Sequence, residues 1–179
     1  MSLAQKMKLQ DLKSKIEELS TARRDLLAKQ MGDAASAIQE ASLAYFTSKG
    51  FTISGQMPKV KATYNGGLET SIDFSNLKGN FWGCDGVVEF KYEKKTFVLE
   101  YQVARGDAPA RGSFVGSPED VMQREIEYYE EKLVPYLQNA GVSDLSGAVV
   151  LYSRVKNATN GVTTHKYQSV EEALDTFID

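Results

Sequence analysis

The chain has 179 residues, of which 42% are hydrophobic and 25% are charged, and this length and composition fit one globular domain and exclude a wholly disordered chain. Its single cysteine, Cys84, excludes an intramolecular disulfide, and because there is only one histidine a thiolate-rich zinc site is excluded as well. No apolar run reaches the roughly 20 residues that span a bilayer, and the first residues lack the apolar stretch of a signal peptide. We therefore expect a cytoplasmic protein without a membrane partner.

The net charge of −3 is unevenly distributed along the chain. Residues 1–31 hold seven basic and four acidic side chains, so this segment carries +3 and the remainder carries −6. Phosphate neutralisation supplies most of the non-specific affinity of proteins for nucleic acid. A chain that is acidic overall would therefore need a local basic patch to bind DNA.

Residues 3–31 are predicted to form a helix, because they contain no glycine or proline and are rich in good helix formers. Apolar residues follow the a/d spacing of a coiled coil, at Leu9, Leu12, Ile16, Leu19 and, after an interruption, Leu26. Two interpretations stay open. Either the helix packs on its own domain, or it pairs two copies of the chain as a homodimer.

Gly32 and Asp33 are predicted to end this helix and to begin a second one over residues 34–48, which stops at Gly50. The break divides the chain into an N-terminal helical extension, residues 1–31, and a domain of residues 32–179. Glu40 lies in the second helix, beside its apolar face.

After Gly50 the hydrophobic period changes from that of a helix to that of a strand. Strands are predicted at residues 51–54, 60–64, 70–74, 86–92 and 96–103, and the last two are joined by a hairpin turn at residues 93–95. In the last of these strands Val98, Glu100 and Gln102 share one face.

A loop over residues 104–116 leads into the C-terminal part of the chain. Ser117 and Pro118 indicate a helix start, and this helix is predicted to run to about Asn139 with a kink at Pro135. The remaining predictions are a buried strand within residues 146–155, a short strand at 162–167 and a closing helix at 170–178.

The best candidates for chemistry are Asp85, which opens one strand, and Glu100 and Gln102 on the next. If the two strands form a hairpin, a bend near Gly86 would turn Asp85 toward Glu100. Two converging carboxylates suit a hard divalent cation such as Mg²⁺, which can activate water for phosphodiester cleavage. The plainer interpretation is a turn aspartate and a solvated strand glutamate.

Three neighbours of Asp85 are predicted to be structural. Phe81 and Trp82 are expected to fill the core rather than to line a site. Cys84 is expected to be a small buried thiol, because nothing near it in the sequence would activate it as a nucleophile.

The stretch from Gly83 to Gln102 reads Gly-x-Asp with an apolar strand, a charged turn, and a second apolar strand ending in Glu-x-Gln. This pattern resembles the PD-(D/E)XK nuclease superfamily, which has the restriction-endonuclease-like fold. The element order over residues 34–155 resembles the core of that family too. The resemblance implies an α+β fold with an α/β-type core, in which helices flank a mixed central sheet and the N-terminal helix is an extension.

The resemblance implies a metal-dependent nuclease-like protein that would act on DNA phosphodiester bonds, with Mg²⁺ or Mn²⁺ as cofactor. Asp85 and Glu100 would bind the metal ion, and Glu40 would assist from its helix. Gln102 would position the attacking water. The family usually has lysine at that position, and an amide supplies no charge. The resemblance therefore leaves open whether activity survives.

Phosphate contacts would come from Arg105 and Arg111 in the loop and from Lys91 on the neighbouring strand. The alternative for the loop is a solvated connection without a function.

Two other functional classes are compatible with the same sequence. In the first, the chain is a catalytically inactive nuclease-fold protein that serves as a dimeric interaction or regulatory module, and Gln102 is a trace of lost activity. In the second, the chain has a different α+β fold with a curved antiparallel sheet that binds a small ligand or a partner. Glu100 would then lie far from Asp85.

Overall fold

The computed structural model describes residues 2–79, 83–156 and 161–178. It contains two compact units, which are Met1–Lys29 with Arg105–Gly147 and Gln30–Ala104 with Ala148–Asp179. We refer to them as the helical unit and the sheet unit. No described helix is both long enough and apolar enough to cross a membrane. The predicted core positions of Phe81 and Trp82 lie outside the described residues.

The first helix, α1, runs without interruption over Leu3–Ser48 and contributes to both units. The predicted break at Gly32 and Asp33 is therefore wrong. A glycine in a helix interior costs only about 1 kcal/mol relative to alanine. The turns that follow bury Ala34, Ala35 and Ile38, and this packing outweighs the local cost.

The rest of the helical unit is one helical segment after the loop, made of α2 Pro118–Tyr128, a π-helical turn Tyr129–Leu133 and α3 Val134–Ala140. Ser117 caps α2 through a reciprocal capping box with Asp120. The π-helical turn ends two residues before Pro135. A proline has no N–H and would collide with the carbonyl four residues earlier in a regular α-helix. A kink of the helix at Pro135 stays a prediction.

The apolar seam of α1 packs within the helical unit. Leu9 is buried, and four further seam residues are partly buried, namely Leu12, Ile16, Leu19 and Leu26. Beside the seam, Lys8 forms an ion pair of 2.8 Å with Glu130. These contacts agree with the interpretation in which the helix packs on its own chain. A homodimer through this helix remains a prediction.

Arg23, which interrupts the apolar seam, joins α1 to the end of α3. Its guanidinium donates to both carboxylate oxygens of Asp144, at 2.5 and 3.1 Å, and to the Gly141 carbonyl. It also donates to the Tyr136 hydroxyl at 3.0 Å, and that hydroxyl donates to Asp144. The charge of Arg23 within the apolar seam is therefore balanced by Asp144.

Arg23 and then Tyr136, by their hydrogen bonds, hold the pKa of Asp144 well below its usual range. Because this pKa is lower in the folded than in the unfolded chain, the carboxylate stabilises the fold above about pH 4, and this contribution is lost as the pH falls. We expect the free energy of unfolding to fall less steeply with acid in Asp144→Asn than in the wild type. Urea unfolding at a series of pH values measures the slope, with exposed Asp11→Asn as control. Equal slopes in all three proteins would contradict the assignment.

The sheet unit contains a seven-stranded sheet whose strands follow one another in chain order. The strands are β1 Thr52–Gln56, β2 Lys59–Tyr64, β3 Leu68–Asp73, β4 Gly86–Tyr92, β5 Lys95–Val103, β6 Val149–Lys156 and β7 Val162–Tyr167, and α4 Val170–Ile178 closes the unit. All seven predicted strands are present, and the closing helix is confirmed.

Every described strand pair is antiparallel, so the predicted mixed sheet is wrong. Short turns reverse the chain between most strands. Between β5 and β6 the chain leaves the sheet for residues 104–148 and returns antiparallel beside the strand it left. The protein is therefore of the α+β class, with a long N-terminal helix and an antiparallel sheet.

One face of the sheet packs against residues 30–48 of α1 and against α4. The Phe46 and Phe90 rings lie 6.4 Å apart, and the Phe97 and Phe177 rings stack at 5.1 Å. The buried strand residues on this face are Val60, Ala62, Thr70, Ile72, Val88, Phe90, Leu99, Tyr101, Val103 and Leu151.

The opposite face, which we call the open face, carries alternate residues of the same strands. They include Lys59, Lys61, Asp73, Val87, Glu89, Lys91, Val98, Glu100, Gln102, Tyr152, Arg154 and Lys156. Val149 and Val150 at the start of β6 are 40% and 42% exposed. The prediction that this strand is buried along its length is therefore wrong.

Candidate functional site

Asp85 lies at an irregular step just before β4. Its amide donates to the Tyr101 carbonyl at 2.8 Å, although Tyr101 is the register partner of Gly86. Asp85 and Gly86 therefore both lie opposite Tyr101, and two consecutive residues opposite one residue form a β-bulge. The bend that the sequence predicted near Gly86 is present at this step.

The Asp85 side chain is fully buried. Its Oδ2 atom accepts a hydrogen bond of 2.7 Å from the amide of Val103, the last residue of β5. The amide lies beyond the end of the regular β4–β5 pairing. Asp85 thus supplies an acceptor that the backbone of β4 no longer offers, which is a structural role.

Gly86 allows the chain to pass close to the segment before it. A Cβ atom at this position would lie 2.7 Å from Cε1 of Tyr101 and closer still to the carbonyl oxygen of Leu77. The same carbonyl accepts the Tyr101 hydroxyl at 2.9 Å. Only glycine fits here without displacing backbone, so Gly86 sets the position of Asp85 beside it.

Glu100 lies in the middle of β5 on the open face and is only 6% exposed. Arg154 on β6 binds it: Nε lies 2.9 Å from each carboxylate oxygen, and Nη2 donates to Oε2. Hydrogen bonding to Glu100 raises the pKa of the Arg154 guanidinium. A carboxylate taken out of water requires such a partner.

Cys84 directly precedes Asp85 in the chain and is 1% exposed. Burial first, and then the charge of Glu100, raise the pKa of its thiol. A raised pKa keeps the thiol protonated, and the protonated form is a poor nucleophile. The prediction of a buried thiol is confirmed.

The pKa values of two tyrosines are raised beside these residues. Burial, followed by the charge of Asp85, raises the pKa of Tyr101 to about 12. Burial raises the pKa of Tyr152, and Cys84, Glu100 and Asp85 add to the effect. Asp85 and Glu100 therefore act on one common neighbour, Tyr152.

The other predicted site residues do not join this cluster. Gln102 is exposed on the open face. Glu40 is exposed on α1, whose packing against Phe90 puts it on the other side of the sheet from Glu100. Lys91 pairs with Glu89 at 2.7 Å on the open face.

Arg105 and Arg111 belong to the helical unit. Arg111 lies 3.3 Å from Glu125 on α2 and 5.3 Å from the centre of the Phe114 ring. The loop is also tied to α2 by the Tyr128 hydroxyl, which donates to the Pro109 carbonyl at 2.7 Å.

The residues around Glu100 do not fit a divalent cation as they stand. Both oxygens of Glu100 bind Arg154, and Oδ2 of Asp85 binds the Val103 amide. Within residues 2–79, 83–156 and 161–178, three or more His, Cys, Asp or Glu side chains nowhere come together as a metal-binding group. A cation at Glu100 would have to displace the guanidinium.

Arg154 is the residue of this cluster that the sequence did not indicate. It lies near the end of β6, and the next two residues, Val155 and Lys156, are exposed. This position is typical of a solvated arginine. The sequence pattern that could have indicated the ion pair lies around Glu100. A glutamate flanked by apolar residues in a strand predicts burial, and a buried glutamate requires a cation.

Scans of family models, of curated proteins and of solved structures found no match to this chain.

Proposed function

We propose that this chain is a non-catalytic binding protein, in which the cluster around Glu100 stabilises the sheet and the open face receives a ligand. The observation that carries the proposal is the Glu100–Arg154 pair. The guanidinium brings to this carboxylate the positive charge that a metal ion would bring in a nuclease. Asp85 supports the same conclusion, since its carboxylate extends the hydrogen bonding of β5.

The charges of the open face also argue for a role other than DNA binding. Lys61 pairs with Glu69 at 2.9 Å, and Lys91 pairs with Glu89. Lysines matched by acids release few counterions from DNA, and counterion release provides most of the affinity for phosphate.

We propose further that the sheet unit is related to the restriction-endonuclease-like fold. The order of the elements and the hairpin that bears Asp85 and Glu100 support it. The antiparallel return of β6 beside β5 counts against it. An inactive descendant with a rearranged sheet would satisfy both observations.

A metal-dependent nuclease is the second candidate, and one observation favours it. Asp85 directly precedes Gly86, whose register partner Tyr101 is next to Glu100 on β5, so the two carboxylates belong to neighbouring segments of the sheet. The Arg154 side chain is 35% exposed. If it moved into solvent, the Glu100 carboxylate would be available to Mg²⁺ or Mn²⁺.

Cleavage of supercoiled plasmid and of branched DNA in Mg²⁺ or Mn²⁺ separates the two candidates. We expect no cleavage by the wild type. Cleavage that is lost in Glu100→Ala but kept in Glu69→Ala, an exposed glutamate of β3, would overturn the proposal. Cleavage that persists in both variants would identify a contaminating nuclease.

A further inference from the structure

A groove of about 550 Å³ lies on the open face and extends from β3 to β7. Three valines provide its apolar surface: Val87 is buried, whereas Val98 and Val162 are 36% and 56% exposed. Small-molecule sites typically have volumes of roughly 300–1,000 Å³ and a mainly apolar lining with a few polar groups. The groove has the size and the apolar surface of such a site.

The groove is a consequence of how β5 and β6 pair. Their register covers Glu100–Val103 against Val149–Tyr152 among the described residues, whereas β4 continues to pair with β5 as far as Lys95. On the opposite face the Phe97 ring stacks on Phe177 and meets Tyr167 edge-on.

One side of the groove is acidic. Asp73 and Glu89 are direct register partners across β3 and β4, and like charges opposite one another are unfavourable. Lys59 lies 3.2 Å from Asp73, and Lys91 lies 2.7 Å from Glu89. These lysine side chains are 71% and 58% exposed. Such surface pairs contribute roughly 0–1 kcal/mol, so a ligand ammonium can replace them.

The other side of the groove is basic. Arg154 and Lys156 lie two residues apart on β6 and therefore share a face. Glu100 already balances the charge of Arg154. Lys156 is exposed, so its ammonium group is the one on this side that can attract a ligand carboxylate.

The distance between the two sides sets the length of the ligand. From β4 to β6 there are two strand spacings, which is at least about 10 Å. The ammonium and carboxylate groups of a free amino acid are attached to the same carbon atom and cannot reach both sides of the groove. An extended peptide gains roughly 3.5 Å per residue, so about three residues cover the distance.

We propose that this groove binds a short peptide with two free ends. Its ammonium group lies at Asp73 and Glu89, its apolar side chains lie on Val98 and its neighbours, and its carboxylate lies at Lys156. This inference rests on the proposed function, because it assigns a ligand to the open face.

The probe is the tripeptide leucyl-valyl-leucine, titrated calorimetrically into the full-length protein together with its N-acetylated and C-amidated forms. We expect the free tripeptide to bind, and we expect either blocked form, and free leucine, to bind at least tenfold more weakly. Equal binding of the blocked and free forms, or no binding of the tripeptide at millimolar concentration, would overturn the inference. Neither result would bear on catalysis, which the DNA cleavage assay tests separately.

Two variants locate the binding site. Val98→Asp is expected to weaken tripeptide binding at least tenfold, whereas Val149→Asp, at a strand valine with 40% exposure on the other face, is expected to leave it within twofold. Glu89→Gln provides a second variant that does not alter the apolar surface, and it is expected to weaken binding of the free tripeptide but not of the N-acetylated form. Unchanged affinity in both Val98→Asp and Glu89→Gln would place the peptide elsewhere and contradict the inference.

Discussion

Replacing Gly86 with alanine is expected to lower the free energy of unfolding by about 3 kcal/mol or more. The new Cβ would overlap the Leu77 carbonyl and the Tyr101 ring, and both are fixed by the bond between them. Overpacking in a tight site costs roughly 1–3 kcal/mol, and more when backbone must move. Chemical denaturation measured by circular dichroism gives the value.

The matched control for this variant is Gly67→Ala, because a Cβ at Gly67 has no neighbour within 4 Å. Substituting alanine there restricts the unfolded chain and is expected to change stability by less than about 1 kcal/mol, in the stabilising direction. If Gly86→Ala were as stable as the control, the close approach of β4 to Leu77 would be refuted.

Replacing Arg154 with methionine is expected to destabilise the protein by about 3 kcal/mol. The change leaves Glu100, which is 6% exposed, without its cation. Removing one partner of a buried pair costs roughly 3–5 kcal/mol, and the lower end applies because Arg154 is 35% exposed. Urea unfolding of the variant and the wild type measures the difference.

The double variant Glu100→Leu with Arg154→Met tests the same pair in a second way. Without an orphaned charge it is expected to be more stable than the Arg154→Met single variant. Lys61→Met, which breaks the exposed pair with Glu69, serves as control and is expected to cost less than about 1 kcal/mol. Simple additivity of the Glu100→Leu and Arg154→Met effects would contradict a direct interaction.

The local structure was largely predictable from the sequence. The β4–β5 hairpin follows from alternating apolar residues around a short charged turn, and the observed bounds lie within one or two residues of those predicted. The exception is the helix break at Gly32. A local penalty of about 1 kcal/mol could not be weighed against the packing of Ala35 and Ile38, since that packing depends on the sheet.

The direction of β6 could not be predicted from the sequence. The connection between β5 and β6 contains helices, and such a connection is compatible with a parallel crossover as well as with an antiparallel return. The choice depends on how residues 105–147 fold, and these residues form their own compact unit with the start of α1. An insertion of this kind leaves no local signal in the strand itself.

The site was predictable in part. The sequence indicated that Asp85 and Glu100 belong to one hairpin and that the chain bends near Gly86, and the β4–β5 hairpin and a bend at Asp85 are present. The meeting of the two carboxylates over one cation stays a prediction. The sequence did not indicate Arg154, which lies 54 residues from Glu100 along the chain. The function of a carboxylate depends on whether its partner is a metal ion or an arginine, and no local pattern distinguishes the two.

In this account Arg154, and not a metal ion, neutralises Glu100. The most direct test is thermal melting of the wild type and of Glu100→Gln, each with and without millimolar Mg²⁺ or Mn²⁺. An ion that binds the folded state must raise the melting temperature. We expect neither metal to change the melting temperature of either protein. A metal-dependent rise in the wild type that is absent in Glu100→Gln would contradict the claim.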